Sequence, residues 1–155
     1  MDKIPITREG LEKLRNELRH LEKVARPENI RAIEEARAHG DLSENAEYHA
    51  AKERQSFIEG RINELKTVTC QAEVIDTSNA PLGVIVFGRT VLLYNVDSGE
   101  EVEYQLLGTY ESDPEKGKIS VTSPLGQALL GRKEGDEITV KTPSGLIEFE
   151  IVKIS

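Results

Sequence analysis

The sequence predicts an α+β protein with a helical hairpin over residues 1–75 and a small sheet domain over residues 76–155. In the first half, apolar residues recur at alternating spacings of three and four, which is the pattern of a coiled-coil seam. After Ala72 the pattern changes to the alternation of apolar and polar residues that is typical of strands. We therefore expect an N-terminal antiparallel α-helical coiled-coil hairpin and a C-terminal antiparallel β-sheet domain with one short helix.

The first helical arm covers residues 8–40, and Thr7 can cap its start. Its seam is formed by Leu11, Leu14, Leu18, Leu21 and Ala25. Pro27 lacks an amide hydrogen and crowds the preceding turn, so we predict a kink or short break at Arg26–Glu28.

The second arm covers residues 42–74, and Gly40 can reverse the chain before it by adopting a positive φ. Its helix is expected to reach about Val68, with a seam formed by Ala51, Ile58, Ile62, Leu65 and Thr69. At 1.5 Å per residue each arm would be on the order of 50 Å long. Alanines replace larger residues near the reversal, so the hairpin should be thinnest at residues 40–48.

The second half contains six segments that predict strands: Val84–Phe87, Thr90–Tyr94, Val102–Leu107, Lys118–Val121, Glu137–Thr142 and Leu146–Ile154. Ser123 followed by Pro124 is typical of a helix start, with a capping residue before a proline in the first turn. Most aromatic residues of this half fall on inward strand positions, which leaves few to line a ligand pocket.

The composition excludes several classes of protein. The 155 residues carry 20 basic and 28 acidic side chains, and this net charge of −8 argues against autonomous binding to DNA. Cys70 is the only cysteine, so no disulfide can form within the chain. We find no apolar run that could span a membrane and no signal-peptide pattern in the first ten residues. We therefore expect a soluble, cytoplasmic protein with no membrane partner.

Asp41 and Glu44 are the strongest candidates for chemistry. Their spacing fits a helix capping box, in which Asp41 would be the N-cap and Glu44 the third helical residue. It also fits a metal site, since carboxylates three positions apart share a helical face and Mg²⁺ prefers oxygen ligands. Two carboxylates hold Mg²⁺ weakly, so such a site would need a partner to complete it.

Arginine, lysine and histidine side chains flank this pair, and a single cysteine lies near the end of the second helix. Arg37 and Lys52 are either ordinary solvated charges or contacts to a phosphate backbone close to the acids. His39 and His49 are interpreted as surface histidines, because no cysteine lies near enough to complete a zinc site. Cys70 is interpreted as a packing residue rather than a nucleophile.

Residues 36–53 resemble the hairpin tip of the GreA/GreB family of bacterial transcript-cleavage factors. The resemblance extends over essentially the whole chain, through the segments Ile4–Pro5, Arg26–Glu28, Glu59–Ile62, Ser123–Gly126, Thr142–Gly145 and Glu148–Glu150. It implies an FKBP-like C-terminal domain without isomerase activity. It also implies a transcription elongation factor that is not itself an enzyme and stimulates the Mg²⁺-dependent ribonuclease activity of RNA polymerase.

The resemblance further assigns roles to individual residues. The C-terminal domain would dock at the rim of the secondary channel of RNA polymerase through Ser123 and Pro124 while the hairpin enters the channel. Asp41 and Glu44 would help the polymerase bind a second Mg²⁺, and no metal is expected on the protein alone. Arg37 and Lys52 match basic positions that guide the 3′ end of the nascent RNA. Family members carry arginine where this chain has Lys52. Lysine keeps the positive charge of arginine but lacks its bidentate fork of hydrogen-bond donors.

Two alternative functions remain open at this point. The protein could bind the polymerase channel without promoting cleavage, as a regulator that blocks access. It could instead be a prolyl isomerase acting through its second half, which the shortage of aromatic residues argues against.

Overall fold

The computed structural model describes residues 3–41 and 44–155 and confirms the α+β fold class. The chain divides into two compact units. The first comprises Lys3 and Leu11–Ala72, and the second comprises Ile4–Gly10 together with Glu73–Ser155. Within the described ranges, every helix is too short or too polar to cross a membrane.

The segment Ile4–Gly10 belongs to the second unit, although the sequence analysis placed it with the hairpin. Strand β1 (Ile4–Ile6) pairs with strand β2 (Ala72–Val74) in a two-stranded sheet. The amide and the hydroxyl of Thr7 also donate to the carboxylate of Glu111, at 2.9 and 2.5 Å. These non-local bonds hold the segment to the rest of the second unit. They could not be predicted from the local sequence pattern.

The first arm begins with helix α1 (Arg8–His20), and Thr7 caps it as predicted by accepting from the amide of Gly10 at 3.0 Å. A π-helical segment, Leu21–Ala25, then leads directly into helix α2 (Arg26–Ala38).

The predicted irregularity at Arg26–Glu28 is therefore wrong in position. The helical ladder changes before the proline, where the amide of Arg26 donates to the carbonyl of Leu21, five residues back. Pro27 then lies in the first turn of α2, where its missing amide hydrogen costs no α-helical bond.

Helix α3 (Ala46–Gln71) forms the second arm, and it starts later than predicted. Four predicted seam residues are buried: Ala51, Ile58, Ile62 and Leu65. The predicted fifth residue of the seam, Thr69, is only half-buried, and its neighbour Val68 is buried instead. Ile58 and Ile62 pack with Ala25, against which Leu18 and Leu21 also lie.

Two bidentate ion pairs connect the arms. Arg26 donates twice to Glu59 at 2.8 Å, and Arg61 donates to Glu17 at 2.8 and 3.1 Å. Hydrogen bonds from Arg26 lower the pKa of Glu59, and those to Glu17 raise the pKa of Arg61. On the first arm Glu17 comes before Arg26, whereas their partners on the second arm, Arg61 and Glu59, follow in the opposite order. The two pairs therefore confirm an antiparallel hairpin.

The second unit is built on a five-stranded sheet in the order β5-β4-β3-β7-β6. Its strands are β3 (Thr90–Asn95), β4 (Glu101–Leu107), β5 (Lys118–Ser120), β6 (Glu137–Thr142) and β7 (Gly145–Ile154). The core contains Ile85, Val91, Leu93, Leu106, Ile119, Val121, Leu129, Ile138, Val140, Phe149 and Ile151. The short helix α4 (Pro124–Leu129) contributes Leu129 to this core.

Two details of this sheet differ from the prediction. Strands β4 and β5 pair in parallel, because the connection through the 3-10 turns Thr109–Glu111 and Pro114–Lys116 returns the chain before β5 begins. The predicted strand Val84–Phe87 is wrong, since it makes only an isolated bridge from Val84 to Lys133. Ile85 exchanges two backbone hydrogen bonds of 2.8 Å with Gly131 and Arg132 in the turn after α4, and the pairing forms an isolated bridge rather than a ladder.

Candidate functional site

The connection between α2 and α3 carries the two candidate carboxylates. Gly40 has a φ of 110°, which confirms the predicted reversal at this glycine. Asp41 and Glu44 are both exposed and lie between the helices. Leu42 and Ser43, which complete the predicted tip, lie outside the described residues.

The capping box predicted for Asp41 and Glu44 is wrong. The N-cap of α3 is Asn45, whose side-chain oxygen accepts from the amide of Tyr48 at 3.0 Å. Asparagine caps helices as well as aspartate does, so sequence spacing could not decide between the two positions. The acids therefore precede the helix, and the argument that they share a helical face is wrong too.

Asn45 is a structural residue that the sequence analysis missed. Its side-chain amide also donates to the carbonyl of Ala36 in the last turn of α2, at 2.7 Å. The same carbonyl accepts from the amide of His39 at 3.2 Å. An asparagine directly before an apolar helical pattern is a recognisable N-cap signal, but its second bond depends on the neighbouring helix.

The basic candidates lie on the same end of the hairpin as the acids. Arg37 is exposed in the last turn of α2, four residues before Asp41. Lys52 is exposed near the start of α3, and its ammonium donates to Gln55 at 3.0 Å. The connection thus combines exposed carboxylates with exposed cations, an arrangement suited to a metal ion and to a phosphate backbone.

The histidines are exposed, as predicted. His39 Nδ1 lies 3.9 Å from a carboxylate oxygen of Glu47 on the other helix. The ring of His49 lies edge-on to Tyr48, with 5.7 Å between ring centroids. Cys70 is exposed, so its interpretation as a packing residue is wrong.

The donor chemistry of the tip fits Mg²⁺. Carboxylate oxygens are the ligands that this cation prefers, and it commonly retains water and takes one or two protein carboxylates. Across residues 3–41 and 44–155, no group of three or more histidine, cysteine, aspartate or glutamate side chains is placed to hold a metal ion. Asp41 and Glu44 are the residues of the tip that would provide carboxylate ligands to such an ion.

The second candidate site lies at the start of α4. The hydroxyl of Ser123 accepts from the amide of Gly126 at 3.0 Å and donates to the carbonyl of Ser120 at 2.6 Å. This confirms the predicted cap and leaves Pro124 exposed in the first turn. Both residues line a groove of about 390 Å³ whose apolar walls include Pro114, Ile119, Leu125, Val140 and Pro143.

Two family models match the two halves of the chain. The model described as "Transcription elongation factor, N-terminal" covers residues 4–74, and "Transcription elongation factor, GreA/GreB, C-term" covers residues 79–155. The N-terminal and C-terminal halves of the chain thus match the two parts of a class of transcription elongation factors. The chain belongs to the GreA/GreB family of these factors.

Two relatives that are similar over nearly their whole length agree with this assignment. The chain is 55% identical over 154 residues to transcription elongation factor GreA of Rhodospirillum rubrum, covering 99% of this chain and 98% of that protein. It is 53% identical over 154 residues to transcription elongation factor GreA of Thermodesulfovibrio yellowstonii, with the same coverage. The crystal structure of GreA factor homolog 1 of Thermus thermophilus is 30% identical, with a TM-score of 0.46 and 99% of both chains covered.

Proposed function

We propose that this factor binds RNA polymerase, inserts its helical hairpin into the secondary channel and stimulates cleavage of the 3′ end of backtracked nascent RNA. The observation that carries the proposal is the placement of Asp41 and Glu44, exposed on the connection between α2 and α3. The chain itself would not be the enzyme, because the polymerase would contribute the remaining groups of the catalytic centre.

The hairpin can present these acids within a narrow space. The buried residues of the two arms nearest the connection include the small residues Ala36 and Ala51, which allow the helices to approach each other closely. The ion pairs Arg26–Glu59 and Arg61–Glu17 hold the arms in register further back. A hairpin whose arms are braced in this way can carry its connection into a channel with the two helices still paired.

Each residue at the tip has a distinct role in this proposal. Asp41 would be the direct ligand, and Glu44 a second ligand or the group that orients the attacking water. Asp41 and Glu44 would hold the Mg²⁺ ion jointly with the polymerase, and the bound ion would supply activation of that water and stabilisation of negative charge on the phosphate. Arg37 and Lys52 would hold the RNA 3′ end by contacts to its phosphates.

The sheet domain would provide the docking contact. Ser123 is held by two hydrogen bonds, so the turn that exposes Pro124 is rigid beside the apolar groove. A rigid turn next to an apolar depression suits a protein partner, because little conformational entropy is lost when the partner binds. We infer that the rim of the polymerase channel occupies this face.

The test is cleavage of end-labelled RNA in a purified backtracked polymerase complex, with the wild type and Asp41→Asn compared at saturating factor. Asp41→Asn should bind polymerase with unchanged affinity and lower the cleavage rate by about a hundredfold, as expected for a group that stabilises charge in the transition state. Glu47→Gln is the matched control, since it removes a nearby exposed carboxylate from the first turn of α3.

Equal cleavage with the wild type and Asp41→Asn would exclude the proposed role of the carboxylate. A wild-type protein that slowed elongation and released no short 3′ fragments would instead be a regulator that blocks the channel.

A further inference from the structure

We propose that Asn45 is a positioning residue for cleavage, which fixes the two helix ends between which Asp41 and Glu44 lie. The proposal rests on the proposed function of that turn. It assigns to Asn45 no contact with RNA or metal, only the task of fixing the backbone that carries the two acids.

One side chain joins the two helix ends. The Asn45 side-chain oxygen accepts from the amide of Tyr48 in the first turn of α3, at 3.0 Å. Its side-chain nitrogen donates to the carbonyl of Ala36 in the last turn of α2, at 2.7 Å. The assignment of oxygen and nitrogen follows from the partners, because an amide can only donate and a carbonyl can only accept.

These bonds satisfy backbone groups that the helices leave unpaired. The first amides and the last carbonyls of a helix have no partner within it. At α2 the carbonyls of Ala36 and Arg37 also accept from the amides of His39 and Gly40, at 3.2 and 3.4 Å. Asn45 therefore ties the start of α3 to the last turn of α2, at the base of the connection that carries Asp41 and Glu44.

This clamp matters because both carboxylates lie on an exposed part of the connection. Asp41 and Glu44 are exposed, whereas Asn45 is half-buried. A catalytic group in an exposed turn needs support from its base, and a misplacement of about 1 Å can cost on the order of a hundredfold in rate. The hydrogen bond from the Asn45 side chain to the carbonyl of Ala36 joins the start of α3 to the opposite helix, α2.

Substitutions can separate the two bonds. Asn45→Ser keeps an oxygen that can cap α3, since serine and asparagine cap helices equally well, but its side chain lacks the amide that reaches Ala36. Asn45→Asp also keeps the cap and places a second acceptor against the Ala36 carbonyl. Both variants lose the amide donor, but only Asn45→Asp adds a negative charge. A cleavage defect that both variants share is therefore caused by loss of the donor.

The experiment measures cleavage in the backtracked complex at saturating factor, as a function of Mg²⁺ concentration, with polymerase affinity measured in parallel. We expect both variants to bind polymerase like the wild type. The maximal rate should fall by about tenfold or more and half-maximal cleavage should need more Mg²⁺, as expected when two ligands lose their preorganisation. A residue that merely stabilised the fold would leave the Mg²⁺ requirement of the bound factor unchanged.

Hydrogen exchange gives a measurement that does not depend on activity. The amides of His39 and Gly40 should exchange faster in Asn45→Ser, while those of the Ile58–Leu65 segment of α3 should not change.

Unchanged exchange at His39 and Gly40, or cleavage by Asn45→Ser equal to that of an active wild type, would overturn the positioning role. A wild type without cleavage would overturn the proposed function instead, and the two failures are thus distinguishable.

Discussion

The same substitution should have opposite effects at two helical glycines, Gly60 in α3 and Gly126 in α4. Gly60 is exposed, and a Cβ built on it meets no atom within 4 Å. Alanine is better than glycine in a helix interior by about 1 kcal/mol, because glycine loses more backbone entropy on folding. Gly60→Ala should therefore stabilise the hairpin by about that amount.

Gly126 is buried, and a Cβ there would overlap the carbonyl oxygen of Ser120 and lie 2.9 Å from the Cα of Val121. Both obstacles are backbone atoms, so no side chain can rotate to make room. Overpacking of this kind costs about 1–3 kcal/mol and exceeds the gain in helix propensity. Gly126→Ala should therefore destabilise the sheet domain.

Thermal unfolding followed by circular dichroism, with hydrogen exchange to assign each transition to a unit, checks both effects. A stabilisation of about 1 kcal/mol corresponds to a rise of about 4–8 °C in the Tm of a unit of this size. RNA cleavage by Gly60→Ala should equal that of the wild type. An unchanged or lower Tm would refute the argument from helix propensity. A higher Tm with lost cleavage would show that the hairpin needs flexibility at Gly60.

Two further predictions concern the ion pairs and the docking turn. Hydrogen bonds from Arg26 hold the pKa of Glu59 below its ordinary value of 4.5, so this pair stabilises the hairpin above that pH and loses the contribution as the pH falls through the lowered pKa. In Arg26→Met, the stability of the hairpin should therefore fall less between about pH 7 and pH 3 than it does in the wild type. Thermal unfolding measured across this pH range checks the difference. Ser123→Ala removes the cap of α4 and should cost about 1 kcal/mol in urea unfolding. It should also weaken polymerase binding in a titration, and unchanged affinity would exclude the turn from the docking face.

Prediction from the sequence succeeded where a structural property is periodic and local. The seam residues Leu11, Leu14, Ile58, Ile62 and Leu65 are buried as expected, because one face of a long helix has to be apolar to pack. The caps at Thr7 and Ser123 also follow from their local patterns. The reversal at Gly40 was predictable because glycine adopts a positive φ at little cost.

The candidate site was predictable in its residues and only partly in its geometry. Asp41 and Glu44 could be selected from the sequence because two acids follow a glycine between long helical patterns. Their position before α3 could not be predicted from the sequence. Asp41, Ser43 and Asn45 are all of residue types that cap helices, and the cap formed by Asn45 involves a bond to Ala36 on the other arm.

By itself, then, the sequence determined the two helical arms, the change to strands after Ala72 and the residues carried at the turn. Tertiary structure alone decided the π-helical segment before Pro27, the parallel pairing of β4 with β5 and the attachment of Ile4–Gly10 to the sheet domain. The physical reason is the range of the interactions. Helix periodicity and capping act within a few residues, whereas these features depend on hydrogen bonds to backbone or side-chain groups that the fold brings together.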